Sequence, residues 1–376
     1  MQRRTFFTNT AKLTLSAGVL ALSSKELFAS SKNEPLSAEA KAAWGLKSSS
    51  VPNKPEYTGE GRLFPKSKEV KFSQVRFKNA YDMSLAGNLF TPAKLKARQY
   101  PALVIGHPMG AVKEQAASLY AFKMAQVGFI ALAIDLSFWG ASEGSPRNAV
   151  LPDIYAEDFS AGVDYLGSLS FVDREKIGAI GICGSGSFVL AAAKINPRIK
   201  AIATASMYDM GAAYRNGLNK GVSLEQRKAN IAASASRRWA EFEGGVRELT
   251  GGTTHELKAD TDAIQREFYE YYRTKKGEFT PFGADEMATT HPTLSSNSKF
   301  ANFYPFNDLE LIAPRPVLFI SGTKAHSREF SEDAFARASE PKELLWIKGA
   351  NHIDMYYNQK LIPFAKLESF FKQHLG

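Results

Sequence analysis

Short, wholly apolar runs alternate with amphipathic stretches along most of this chain, and that alternation leaves few folds open. YPALVIGHP, FIALAIDL, KIGAIGI, IKAIATAS, RPVLFISG and KELLWIKG read as strands buried on both faces. Between and after them, KEQAASLYAFKMAQVG, IYAEDFSAGVDYLGSL, GSFVLAAAKI, SEDAFARAS and IPFAKLESFFKQHL carry helical spacing. Strand–helix alternation of this kind predicts a mostly parallel α/β sheet with helices on both faces. Ahead of it, EVKFSQVRF and SLAGNLFTP alternate apolar with polar residues, which predicts two antiparallel strands joined by a turn near Asn79–Asp82. The alternation stops near Met210. About ninety residues follow, to Phe300, with helical stretches such as SLEQRKANIAASASRRWAEFE and TDAIQREFYEYYRTK and no clear strand. A structureless loop of that length is uncommon in a compact domain. The segment 209–300 is therefore expected to be a helical insertion into a core formed by 70–208 and 301–376.

The first 29 residues are a different kind of sequence. An arginine pair, Arg3-Arg4, precedes an apolar stretch near Leu13–Leu22 and a small-residue site ending at Ala29. Charged, apolar, small is the order of a secretory signal, and Arg3-Arg4 followed by Thr5-Phe6-Phe7 has the form of a twin-arginine signal read by bacterial export machinery. The expectation is an exported, periplasmic protein with no stable membrane insertion once the signal is cleaved. Residues 30–69, rich in Ser, Lys and Pro, read as an arm or linker. The 376-residue chain carries a net charge of +9. Removing residues 1–29, with four basic residues and one acid, leaves +6. The basic residues are scattered rather than clustered, which argues against nucleic acid as a partner. With 44% hydrophobic and 12% aromatic residues, neither a disordered nor a fibrous chain fits.

Only one cysteine is present, Cys183, in KIGAIGICGSGSFVLAAAK, where a buried strand hands over to a helix. Ligands of open α/β sheets collect at the carboxyl ends of strands. A sharp turn there lifts a nucleophile over the amino end of the next helix and requires small neighbours two positions either side; here these are Gly181 and Ser185. The helix amino terminus favours a thiolate, the reactive form. Ser185 has small flanks of its own, Cys183 and Ser187, and stands as an alternative nucleophile if the strand runs two residues further. A buried, inert thiol is the other outcome open to this cysteine.

The order strand, GICGSG, helix, long insertion, strand, and a late GANH resembles the α/β-hydrolase fold. Cysteine in place of the usual serine makes it similar to the dienelactone-hydrolase-like branch, whose elbow reads Gly-x-Cys-x-Gly-Gly. Gly181-Ile182-Cys183-Gly184-Ser185-Gly186 matches it with one Gly replaced by Ser. The resemblance spans roughly Val70 to Leu375 and implies an α/β-hydrolase fold with a cap. It also implies that His352, in the Gly-Ala-Asn-His loop after the last strand, is the general base. The family's acid follows the seventh strand, where this chain has Ala325. Asp209, after the sixth strand, is the expected substitute, with Glu329, Glu332 and Asp333 as further candidates. An oxyanion hole needs two backbone donors. Gly184, after the nucleophile, is one; Met109, in IGHPMGAVKEQ after the third strand, is the other, since Pro108 has no N–H to donate.

His107, Trp139 and His326 are candidate substrate contacts, although His107 could equally hold its loop and Trp139 could equally be core. The six histidines show no His-x-x-x-His spacing, the cysteine has no partner, and no phosphate-binding loop appears, so neither a metal nor another cofactor is expected. The reading is a hydrolase of carboxylic esters, lactones or thioesters of a small substrate, acting through a covalent acyl-enzyme on Cys183. Two alternatives stay open: a catalytically retired periplasmic ligand-binding protein, and an acyltransferase or peptidase on the same fold.

Overall fold

A tight hairpin opens the ordered sheet. The computed structural model describes residues 64–65 and 67–376; the expected signal and nearly all of the expected arm lie outside them. Strands β1 (Val70–Lys78) and β2 (Ser84–Pro92) pair antiparallel from Val70↔Pro92 to Lys78↔Ser84. Asn79 makes the turn: its Oδ1 accepts from the Tyr81 and Met83 N–H groups, a side chain imitating the backbone of a turn. Strands β3 (Tyr100–Gly106), β4 (Ile130–Ile134), β5 (Val172–Ile182), β6 (Ile202–Ala205), β7 (Val317–Gly322) and β8 (Lys342–Ile347) complete an eight-stranded sheet of order β1-β2-β4-β3-β5-β6-β7-β8. β2 meets β4 antiparallel, and every later pairing is parallel. This is the α/β-hydrolase fold.

Helices cover both faces: α1 (Ala116–Gln126), α2 (Pro152–Ser168) and α3 (Ser185–Ile195) within the first half, then α4 (Met210–Asn216), α5 (Leu224–Phe242), α6 (Ala263–Tyr272) and α7 (Leu294–Asn297) between β6 and β7, and α8 (Arg328–Arg337), α9 (Asp354–Tyr357) and α10 (Phe364–Leu375) after it. The period-two alternation of the strands sorts their side chains between two cores. Ala102, Val104 and Leu132 pack with Phe159, Val163 and Phe188 under α2 and α3. Leu103, Ile105 and Ala133 pack with Leu119, Phe122 and Phe371 under α1 and α10. With both faces covered, all residues of β4 and β6 are buried, as their unbroken apolar runs predict.

Between β6 and β7 the chain is helical, and an isolated bridge, Leu249↔Thr293, is its one β pairing among the described residues. α5 starts with a reciprocal cap: Ser223 Oγ accepts from the Gln226 N–H, and Gln226 Oε1 accepts from the Ser223 N–H. Its side chains are exposed apart from a few, Ser234 being the buried one. α6, capped by Asp262, instead buries Tyr271 and Tyr272, and so anchors the cap to the core. No helix among the described residues is long and apolar enough to cross a membrane.

Candidate active site

β5 ends at Ile182, α3 begins at Ser185, and Cys183 takes the turn between them with φ +53°. A non-glycine residue in the left-handed region stays there only when its surroundings enforce it. Three backbone bonds do so: the Cys183 N–H donates to Ala205 O, and Cys183 O accepts from the Gly186 and Tyr208 N–H groups. Small neighbours are mandatory. A Cβ on Gly181 would lie 2.2 Å from Ser185 O, and one on Gly186 would lie 2.4 Å from Met207 Cβ. Ser185 lies inside the helix, fully buried, and its Oγ donates to His107 O at 2.5 Å. That hydroxyl braces the turn from beneath, so the alternative elbow centred on Ser185 is not the one formed.

The Cys183 sulfur is buried, its residue 6% exposed. The Tyr356 hydroxyl and the Gly184 and Met109 backbone N–H groups lie against it. Burial pushes the thiol up to about 11, against the pull of those three groups. The two amides expected to form an oxyanion hole thus converge on the sulfur. The Met109 loop is held from behind by a buried ionic cluster. The Lys113 N–H and Nζ both reach the Asp135 carboxylate at the end of β4, at 2.7 and 2.8 Å, and Nζ also meets Glu114. Desolvation pulls the Lys113 ammonium down, but the Asp135 and Glu114 carboxylates outweigh it, so it stays charged. His107 belongs to this scaffold. Nε2 accepts from the Leu136 N–H at 3.1 Å, which leaves Nδ1 to donate to Pro108 O at 2.7 Å. Fully buried with both nitrogens engaged, His107 holds its loop and is not a substrate contact.

His352 is also fully buried. Nδ1 bonds Ser327 Oγ at 2.6 Å, and Nε2 bonds the Tyr356 hydroxyl at 2.8 Å. Burial, then the neighbouring His326, holds the imidazole well below its ordinary value, so it is neutral at pH 7. His326 does reach the site: its ring stacks on His352 with centroids 4.5 Å apart, and its Nδ1 lies 3.3 Å from Glu267 Oε2 on α6.

No carboxylate takes the place of the triad acid. Asp209 is the N-cap of α4, its Oδ1 accepting from the Ala212 N–H at 2.7 Å. Glu329 accepts from the Asn219 N–H, Glu332 pairs with Arg328, and Asp333 pairs with Arg337. The expectation of Asp209 beside His352 is corrected: helix-end and ion-pair partners occupy all four candidate acids, and a serine hydroxyl meets the ring. Sequence reasoning missed Tyr356, and it placed Ser327, beside His326, only as a possible substrate contact rather than as the partner of His352. Tyr356 sits four positions beyond His352, the spacing of one helical face, which was its one legible signal.

Trp139 is 2% exposed, and its Nε1 donates to the Tyr155 hydroxyl at 2.9 Å. It is chiefly core, yet one edge lines a cavity of about 450 Å³ between the sheet and the cap, together with Gly110, Val112, Tyr272, Phe279 and Phe282. Among the described residues no group of three or more His, Cys, Asp or Glu side chains could hold a metal ion.

The sequence of residues 85–235 matches the profile of the dienelactone hydrolase family. Protein PA2218 of Pseudomonas aeruginosa is 41% identical over 314 residues, 84% of each chain. Its crystal structure superposes with a TM-score of 0.80 over 85% of this chain and 98% of that one. YcjY of Escherichia coli is 33% identical over 310 residues, 81% of this chain and 99% of the relative. The acyltransferase drtE of Aspergillus calidoustus is 26% identical over 315 residues, covering 82% of this chain and 97% of its own.

Proposed function

The chain belongs to the dienelactone hydrolase family of α/β-hydrolases, and from that premise we propose that it cleaves carboxylic ester, lactone or thioester bonds of a small substrate through a covalent acyl-enzyme on Cys183. The family match supports a hydrolase on this fold; the residues and the bond type are our reading. One observation carries it: a cysteine in the left-handed turn at the end of β5, its sulfur met by two backbone N–H groups from different loops.

In this reading the sulfur attacks the carbonyl carbon. The Gly184 and Met109 N–H groups, which lie against the sulfur in the free enzyme, then hold the developing oxyanion, each such donor typically contributing about 3 kcal/mol in the transition state. His352 takes the thiol proton and returns it to the leaving group. A thiol raised to about 11 and an imidazole held low describe a neutral resting pair. The nucleophile is therefore generated as the base acts rather than stored as an ion pair. Ser327 holds the ring through Nδ1 without offering the negative charge that a carboxylate would.

A second reading, acyl transfer to an alcohol or amine, is favoured by the burial of the sulfur, which restricts water at the acyl-enzyme, and by the similarity to an acyltransferase. Both readings need the same nucleophile. Cys183→Ala is expected to reduce turnover of p-nitrophenyl esters by roughly 10⁴-fold or more, and wild-type turnover in that variant would remove Cys183 from the chemistry. Product analysis in the presence of alcohols and amines separates hydrolysis, giving free acid, from transfer, giving new esters or amides.

A further inference from the structure

A phenol stands between the thiol and the imidazole. Tyr356 is fully buried; its hydroxyl bonds His352 Nε2 at 2.8 Å and lies against Cys183. Among the described residues no hydrogen bond joins the sulfur to the imidazole directly. The relay runs from one of the two tautomers of neutral His352 that these contacts accommodate. With the proton on Nδ1, facing Ser327 Oγ, Nε2 carries the lone pair and accepts from the Tyr356 O–H. The Tyr356 oxygen then has two lone pairs free to accept. One is then open to the thiol, and the Tyr272 hydroxyl on α6 lies close by. The ring is wedged so that the hydroxyl stays in line: Tyr271 packs edge-on at 5.2 Å between centroids, and His352 packs at 5.3 Å.

Resting on the reading of Cys183 as nucleophile, we propose that Tyr356 is a catalytic residue that relays the proton between Cys183 and His352. As the S–C bond to the substrate carbonyl forms, the C=O π pair moves onto oxygen. The S–H proton passes to the Tyr356 oxygen, and the phenolic proton passes to Nε2. Tyr356 ends the step neutral, its oxygen having exchanged one proton for another, and His352 ends as imidazolium. When the tetrahedral intermediate collapses, the C–O or C–S bond to the leaving group breaks. The imidazolium proton then returns to that group through the same hydroxyl. Deacylation repeats the sequence with water in place of the thiol. Burial beside Cys183 raises the phenol well above its ordinary value, so a free phenolate is not an intermediate and the two transfers are coupled.

The test is Tyr356→Phe, which keeps the ring and removes the hydroxyl. The burst rate of acylation by p-nitrophenyl acetate should fall about 100-fold or more, the usual scale of general acid–base assistance, with KM within about twofold. The wild-type acylation rate in mixtures of H₂O and D₂O should curve, reporting two protons in flight, and the variant's should be linear. Acylation at the wild-type rate or faster in the variant, or a linear dependence in the wild type, would overturn the relay. Should Tyr356→Phe fail to fold, fluorotyrosine at position 356 changes the acidity of the hydroxyl and little else. Its acylation rate is expected to change with phenol acidity, and an unchanged rate counts against the proposal. Cys183→Ala run alongside keeps the two readings apart. If that variant retains turnover, the nucleophile is wrong; if it loses turnover while Tyr356→Phe does not, only the relay is.

Discussion

Cys183 is held in a conformation and a protonation state that an unconstrained cysteine would avoid, and both have consequences for stability. Its thiol titrates near 8.5 in an unfolded chain, whereas burial raises it to about 11 in the fold. The folded state therefore keeps a proton that the unfolded state gives up. The stability linked to that proton is complete below about pH 8.5 and is lost as the pH climbs toward 11, to a total of about 3 kcal/mol. Urea unfolding at pH 8 and pH 11 should show wild type losing up to that much more stability than Cys183→Ala over the interval. Equal losses would mean that the sulfur is better solvated than its burial indicates. At this scale the sequence announced the cysteine through its glycines and His352 through its loop. It did not announce that Ser327 or Tyr356 would meet the His352 ring, because a hydroxyl near the end of a strand looks like any other polar residue until the fold closes. Asp209 misled for a related reason: an acid at the start of a helix serves as an N-cap as readily as it serves a histidine, and here it caps α4.

Two elements meet at the sulfur, the elbow between β5 and α3 and the loop after β3, and their closeness depends on Gly184. That residue has helical φ −55° and ψ −37°, so alanine is acceptable to the backbone. Its added Cβ would nevertheless lie 2.7 Å from Met109 Cβ and 3.2 Å from Met109 N. Gly184→Ala should push the Met109 loop outward and misplace one of the two donors. The expected result is a loss in kcat of about 10²-fold or more, the scale of removing one oxyanion donor, with the fold retained by circular dichroism. Unchanged kcat would show that the Met109 N–H has no part in catalysis. The strands were the legible elements because burial on both faces leaves an unbroken apolar run. β5 was read from Lys176 but begins at Val172, since Asp173, Arg174 and Glu175 hide its first turn at the sheet margin. The cap helices were legible as helices through their caps and spacing, but which of them would touch the site was not. α5 is the longest and stays largely in solvent, whereas the shorter α6 carries Glu267 and Tyr272 to the site.

Across the whole molecule, sheet and cap enclose the cavity of about 450 Å³, and its chemistry narrows what the enzyme accepts. Two arginines line it, each already holding backbone carbonyls. Arg147 donates to Gly140 O at 2.7 Å, and Arg273 donates to Thr253 O and Thr289 O at 2.9 and 3.0 Å. What remains for a substrate is largely aromatic and aliphatic surface from Val112, Trp139, Phe279 and Phe282. The cavity comes near the proposed centre through Gly110, next to Met109, and through Tyr272; an acyl chain on Cys183 that reached it would report its length in the rate. Each methylene buried there is worth about 0.8 kcal/mol, about fourfold in kcat/KM. For a series of p-nitrophenyl esters of increasing straight-chain length, kcat/KM is expected to rise by about that factor per carbon, pass through a maximum when the cavity is full, and then fall. Ala288→Phe, at the cavity wall, should move the maximum to a shorter chain while leaving the acetate ester unaffected. A rate indifferent to chain length in both proteins would mean that the acyl group lies elsewhere, and that the cap closes over the site without selecting what enters it.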